Sequence, residues 1–426
     1  MCWTPYVLTA KEESYGRIDP HLLQDLNGKV EIYRTGAWMN PGMLYFQVKS
    51  CVYRLAGKQQ VFRKKVASYH PVKGDRRENW LGRVRRVARS LCNSGGGELT
   101  WTLPALFKAM ALMRIHQFDY VYTTGPPHDV HLVGLVLKKI YGVKWVADFR
   151  DPWSSVIGQP GAVQARRSKV LENVIAFLEK QVVKNADNVL VTTGRLADAF
   201  ANLYPKGRTE KFHNVFSGFD PDDFISIQVA RPTSKFRVAY LGTFYVGRTP
   251  ELFLEAVRAL IDDNKILEDR LDIRFIGACR YAEGKSVEEM VKQAGLSSVV
   301  TIEDAVPHTR ALEEMGSAHV LLLFAPDQPL QIPGKIFEYL ASGSDILAFT
   351  SEGATADLLR QVGRGTVVKP DALEEIKGAL EASYVRFCSP PCPQKDHPQD
   401  DPMLVPYHKQ TLTAKLVELL EQRSSL

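Results

Sequence analysis

Short runs rich in β-branched and aromatic residues alternate along most of this chain with stretches whose apolar positions recur every three or four residues. Strands alternating with helices favour parallel sheets covered on their faces. In the first half, residues 6–10, 30–34, 120–124, 144–147, 188–192 and 213–216 read as strands, and in the second half residues 236–241, 272–276, 299–302, 319–324, 346–349 and 366–368. Two similar α/β sets result, each repeating strand then helix. Between them the pattern lapses in residues 225–235, which contain Pro232, as a linker does. The expected organisation is therefore a first domain over residues 1–225, a linker over 226–235, a second domain over 236–388, and a Pro-rich stretch with a final helix over 389–426. In that last helix Leu412, Leu416, Leu419 and Leu420 form an apolar stripe that needs a surface to dock on.

Composition leaves this picture intact. With 45% apolar and 24% charged residues among 426, the chain is folded, neither collagenous nor disordered nor a disulfide scaffold. Charge adds one feature. Between Arg54 and Arg89 stand twelve Lys or Arg against Asp75 and Glu78, a local +10, so the net +6 leaves about −4 for everything else. Within that segment Trp80, Leu81, Val84, Val87, Ala88 and Leu91 recur at helical spacing, with Arg83, Arg85, Arg86 and Arg89 mainly elsewhere on the wheel. Such a basic amphipathic insertion, residues 54–97, suits an anionic membrane surface and equally a core helix with a solvated basic face. No apolar run reaches the roughly 18 residues a spanning helix needs. Six scattered cysteines and an opening without a leader pattern point to reduced thiols in a cytoplasm. Nucleic acid is not among the expected partners, because the basicity belongs to one segment and not to the fold.

Five motifs, in order, carry more. They are Thr124-Gly125-Pro126-Pro127-His128 with Ala147-Asp148-Phe149-Arg150-Asp151-Pro152-Trp153; Ala186-Asp187-Asn188-Val189; Ser217-Gly218-Phe219-Asp220; the stretch 240–248 with Gly242, Thr243 and Arg248; and Pro333-Gly334-Lys335-Ile336-Phe337-Glu338. In these the chain resembles the group-1, or family 4, glycosyltransferases of the GT-B fold, over nearly its whole length outside the basic segment and the Pro-rich tail. The resemblance implies two Rossmann-like doubly wound domains facing a central cleft. The first would take the acceptor and the second the nucleotide-sugar donor.

Physically, Gly242 ends the first strand of the second domain, where a residue without Cβ lets backbone N–H groups approach a diphosphate. Thr243 and Arg248 follow in the same loop, and Arg248 offers a fixed delocalised charge. Lys335 opens a helix whose next turn carries Glu338. What the resemblance implies is that Arg248 and Lys335 hold the leaving nucleoside diphosphate and that Glu338 accepts from the ribose hydroxyls. Transfer with retained anomeric configuration, without a metal and with no cofactor besides the donor substrate, is the expected chemistry.

Departures from the family pattern are equally legible. Leu330 stands where many relatives carry a glutamate eight residues before Glu338. Arg150, with Asp151 beside it, stands where relatives often place a histidine, and an arginine cannot serve as a base. Asp151 or His128 then substitutes in the acceptor site, or Arg150 binds an anion, or Arg150 and Asp151 pair structurally. Tyr6-Val7-Leu8-Thr9-Ala10 resembles the family's second strand, so the resemblance leaves the family's first strand and its Gly-rich loop without a counterpart in this sequence. Asp220-Pro221-Asp222 reads as an Asx-turn opening a helix and not as a metal site. The expectation is thus a cytoplasmic, membrane-peripheral glycosyltransferase moving a sugar from a nucleotide donor to a glycan or lipid-linked acceptor in surface polysaccharide biosynthesis. The alternative is a catalytically impaired GT-B relative acting as a binding or partner subunit.

Overall fold

The computed structural model describes residues 3–14, 28, 30–37, 99–154, 169–205, 209–225, 227, 231–245, 247–389 and 400–422. The basic segment 54–97, with its expected amphipathic helix, lies outside them, as do residues 390–399. Among the described residues the chain folds as two compact units, one of residues up to 154 with 169–189 and the other of the residues from Leu190 onward.

In the first unit β1 (Tyr6–Ala10) and β2 (Glu31–Thr35) pair in parallel. Next come α1 (Leu99–Ile115), β3 (Tyr120–Gly125), α2 (Val130–Tyr141), β4 (Lys144–Phe149) and α3 (Lys169–Asn185). β5 (Asn188–Val191) follows, and the division between the units falls inside it. β3 and β4 pair in parallel with Thr124 opposite Asp148, and α1 and α3 both pack on α2. Helix α2 ends at Gly142, whose left-handed backbone (φ 68°) a residue with Cβ disfavours. Asp187 ties this layer together. Its carboxylate takes Lys138 Nζ at 2.8 Å and the Trp145 backbone N–H at 2.7 Å. The aspartate of that family-like motif is therefore structural.

The second unit continues with α4 (Gly194–Leu203) and β6 (Phe212–Asn214). A second run of strands then opens with β7 (Phe236–Thr243), α5 (Glu251–Asp262) and β8 (Leu271–Ala278). The chain turns back through the hairpin β9 (Tyr281–Ala282) and β10 (Lys285–Ser286) into α6 (Val287–Gln293), β11 (Val300–Glu303), α7 (His308–Ser317) and β12 (Val320–Phe324). It ends with α8 (Lys335–Ser342), β13 (Asp345–Phe349), α9 (Ala354–Val362), β14 (Thr366–Val368), α10 (Leu373–Cys388) and α11 (Lys409–Gln422).

Six of these strands make one parallel sheet in the order β11-β8-β7-β12-β13-β14. Numbered by appearance that order is 3-2-1-4-5-6, the doubly wound arrangement, in which ligands bind outside the carboxyl ends of the strands where the order reverses. Here the reversal lies between β7 and β12. Both faces are buried: Phe236, Val238, Ile273, Phe275 and Leu322 pack on one side, Ala239, Leu241, Leu321 and Leu323 on the other. Strands buried twice over read as the continuous apolar runs seen in the sequence. β3, β4, β5 and β6 form a four-stranded sheet in that order.

The boundary between the units falls earlier in the chain than the loss of pattern at 225–235. Residues 190–225 belong with the second unit because their side chains find partners there. Thr193 Oγ1 donates to the Leu330 carbonyl at 2.6 Å, Arg195 pairs with Asp357, and Phe216 lies against Phe337 and Tyr407. The final helix docks on the same stretch. Phe219 N–H donates to the Tyr407 carbonyl (3.0 Å), Lys409 N–H to the Phe219 carbonyl (2.8 Å) and Lys415 Nζ to the Asn214 carbonyl (2.9 Å). Leu412 and Leu420 of the predicted stripe are buried.

Candidate functional site

The two loops that leave the sheet at its reversal are 242–250, after β7, and 325–334, after β12. Gly242 and Thr243 are the last residues of β7. Gly242 pairs with Gly277 of β8, and a Cβ built on Gly277, whose φ is +123°, would meet the Gly242 carbonyl oxygen at 2.1 Å. This approach sets the end of β7. Tyr240 adds a brace, donating from its hydroxyl to the Thr243 carbonyl at 3.0 Å while its ring stacks on Phe244 (centroids 4.7 Å) and meets Phe324 edge-on. The space beside Gly242 is filled by that Tyr240 hydroxyl, 2.8 Å from a hypothetical Cβ. So the glycine that sequence reasoning tied to a ligand is also required by its neighbours.

Arg248 bridges the two loops. Its Nη2 donates to Gln328 Oε1 at 3.3 Å and its guanidinium lies over the Tyr245 ring, 4.4 Å from the centroid. Its Nε is buried and has no partner among the described residues. Among the described residues no carboxylate pairs with this guanidinium, and a cation so placed attracts an anion. In the same loop the Gly247 N–H donates to Glu283 Oε1 at 3.0 Å, from the tip of the β9–β10 hairpin.

The second loop is fixed by its main chain. Leu330 O accepts from Thr193, Pro329 O from the Ala354 N–H (2.9 Å) and Gln331 O from Thr355 Oγ1 (3.2 Å). It delivers the chain to Lys335 at the first position of α8, with Glu338 one turn on. Glu338 Oε1 meets His308 Nε2 at 3.1 Å, and Lys335 Nζ lies 3.9 Å from Glu338 Oε2. Burial raises the Glu338 carboxyl, but the His308 hydrogen bond and the charges of Lys335, His308 and Lys409 outweigh it and leave its pKa lowered. His308 is raised, first by that hydrogen bond. Sequence reasoning missed His308 and Gln328, because each meets its partner only across the fold.

The acceptor-side candidates lie in the first unit. The Arg150 N–H donates to the Gly125 carbonyl at 3.1 Å, joining the ends of β3 and β4. Arg150 is exposed, Asp151 half-buried and His128 buried, with its ring against His131, Phe149 and Trp153. Beneath, His131 Nδ1 shares a hydrogen bond with Thr123 Oγ1 (2.8 Å), which also accepts from Trp145 Nε1 (2.9 Å). Burial holds His131 well below the usual imidazole range, so it is neutral. The carboxylate that sequence reasoning overlooked is Asp148. Its Oδ2 accepts from both Tyr122 (2.8 Å) and Thr124 (2.9 Å), and burial raises its carboxyl pKa against those two bonds. Strand alternation gave the signal: residues 122, 124 and 148 share one face of paired strands.

Asp220 Oδ1 accepts from the Asp222 N–H at 3.2 Å and caps the turn Pro221–Phe224, the Asx-turn anticipated. Among the described residues no cluster of three His, Cys, Asp or Glu could hold a metal, and no helix is long and apolar enough to cross a membrane.

The profile of the glycosyl transferase 4-like domain matches residues 54–214. No curated protein sequence matches the chain. Solved structures that share its fold include sucrose-phosphate synthase from Thermosynechococcus elongatus, with TM-score 0.61 and 13% identity, covering 99% of this chain and 100% of that one. The lipopolysaccharide outer core galactosyltransferase WaaB in its apo form gives 0.54 and 10%, with 99% and 100% covered. S. aureus MnaA in its UDP co-structure gives 0.50 and 11%, with 99% and 98% covered. Identities this low establish a common fold and leave the reaction open. The match over residues 54–214 shows a glycosyl transferase 4-like domain there, and the parallel sheets and the shared fold agree with the two Rossmann-like domains of the GT-B arrangement.

Proposed function

We propose that this protein transfers a sugar from a nucleotide-diphosphate donor to a glycan or lipid-linked acceptor in surface polysaccharide biosynthesis, with retention and without a metal. The observation that carries the reading is the reversal point of the 3-2-1-4-5-6 sheet, where Arg248 reaches across to Gln328, its Nε without a partner among the described residues, and Lys335 opens the helix that carries Glu338. The amides after Gly242, the guanidinium of Arg248 and the ammonium of Lys335 stabilise charge growing on the departing diphosphate as the anomeric carbon becomes cation-like and meets the acceptor hydroxyl. Glu338 takes the ribose hydroxyls. His128, Arg150 and Asp151 are the acceptor-side candidates, with Arg150 and Asp151 the ones open to solvent. Likenesses to WaaB, titled a lipopolysaccharide galactosyltransferase, and to a UDP co-structure support an envelope glycan and a uridine donor. The basic segment 54–97 supports attachment to the inner face of an anionic plasma membrane.

Incubating the full chain with a panel of nucleotide sugars and lipid-linked acceptors tests this. Sugar transfer or slow donor hydrolysis is expected, and neither with any donor would overturn it. A second reading, an impaired relative acting as a partner subunit, is favoured by Leu330, which offers an aliphatic side chain where relatives carry a carboxylate. It predicts that Lys335→Ala and Glu338→Ala leave the cell's glycan unchanged while loss of the protein alters it.

A further inference from the structure

We infer that His308 is a positioning residue for Glu338, fixing which carboxylate oxygen receives the ribose of the donor and making donor affinity depend on pH. The inference rests on the proposed donor site and deepens it. His308 is the first residue of α7, a helix packed against α8. Its Nε2 lies 3.1 Å from Glu338 Oε1, so that oxygen is occupied by an imidazole N–H. The other oxygen faces Lys335 Nζ at 3.9 Å, beyond hydrogen-bond range, and is the one left to accept from a hydroxyl. A carboxylate gripped at one oxygen from a neighbouring helix cannot rotate to a conformer that misses the ligand.

The groups facing this pair come from three elements besides α7. They are Lys335 on α8 itself, Asp223 in the turn Pro221–Phe224, which packs on α8, and Lys409 at the start of α11. Asp223 and Glu338 favour the imidazolium, and Lys335 opposes it. Protonated His308 thus holds Glu338 by a charge-assisted bond. As pH rises through the elevated His308 titration that bond weakens to a neutral one, and the grip on the ribose loosens.

The test measures by calorimetry the dissociation constant of UDP, GDP and ADP, and of the 2′,3′-dideoxy form of whichever binds most tightly, between pH 6 and 9. The dideoxy ligand carries the same diphosphate, so it controls for titration of the phosphate itself. In the wild-type chain the ribonucleotide is expected to lose roughly tenfold in affinity relative to its dideoxy analogue as pH rises. His308→Gln should sit at the weakened level with a flat relative profile, and His308→Arg, which keeps a cationic donor, should restore tight binding with no pH dependence. A constant ratio across pH in the wild type overturns the inference without any variant. Ribonucleotide binding by His308→Gln equal to wild type at pH 6 overturns it as well. Absence of binding by any of the three nucleotides at millimolar concentration overturns the proposed function together with it.

Discussion

Gly277→Ala probes the donor loop from a residue placed one strand away. Its backbone φ of +123° is a region L residues rarely adopt, and holding an alanine there costs about 1–3 kcal/mol. The new Cβ would stand 2.1 Å from the Gly242 carbonyl oxygen, whereas carbon and carbonyl oxygen approach to about 3.3 Å, so the end of β7 must move by about 1 Å. Overpacking of this kind adds roughly 1–3 kcal/mol. A displacement of 1 Å at a positioned site costs on the order of 10²-fold in turnover. Gly295→Ala is the control: its φ is also positive, +68°, but nothing lies closer than Arg258 Nη1 at 3.9 Å. Urea unfolding and nucleoside diphosphate titration on both variants separate the two effects. We expect both to lose stability and only Gly277→Ala to lose nucleotide affinity, by at least tenfold. Wild-type affinity in a folded Gly277→Ala protein would refute the claim that β7 ends in the donor loop.

Other expectations follow from single contacts. Thr193→Val removes a hydroxyl that caps α4 through the Leu196 N–H (3.1 Å) and also donates to the Leu330 carbonyl, so urea unfolding should show a loss of about 2–3 kcal/mol. The His308–Glu338 pair should shape stability against pH. The raised His308 contributes fully below its ordinary value of 6.5 and loses its part as pH rises through the elevated titration, while the lowered Glu338 contributes fully above 4.5 and loses its part as pH falls. The stability difference between wild type and His308→Gln should therefore be largest between pH 4.5 and 6.5 and shrink on either side, and a difference independent of pH would contradict the pairing. Asp187→Ala strips both Lys138 and the Trp145 N–H of their acceptor and should cost about 3 kcal/mol or more in thermal or urea unfolding, with nucleotide affinity unchanged.

All twelve runs read as strands overlap strands; β5 and β12, buried on both faces, are apolar throughout, whereas β1, β2 and β3 are partly exposed and show themselves by their β-branched and aromatic residues. The hairpin Tyr281–Ser286 escaped notice, since two strands of two residues carry no periodicity. Domain boundaries were less visible. Residues 190–225 look like the continuation of the first α/β set, yet their side chains find Leu330, Asp357 and Tyr407, which lie over a hundred positions later. At the donor site the loop residues Gly242, Thr243 and Arg248 and the helix residues Lys335 and Glu338 were legible from their motifs. What makes them a site, the Arg248–Gln328 contact and the His308 grip on Glu338, spans 80 and 30 positions and has no local signature. Asp148 hid for a different reason. Arg150 and Asp151 stood beside it in the motif, and only pairing with β3 puts Tyr122 and Thr124 on its carboxylate.

If the sheet's reversal point holds the diphosphate of an activated sugar between Arg248 and Lys335, both cations contribute to nucleotide affinity. Calorimetric titration of the full chain with UDP, GDP and ADP, beside Arg248→Met and Lys335→Met, tests it most directly. At least one nucleotide should bind the wild type, and each variant should weaken that binding at least tenfold. Undiminished binding in both variants, or no binding at all, would contradict that assignment.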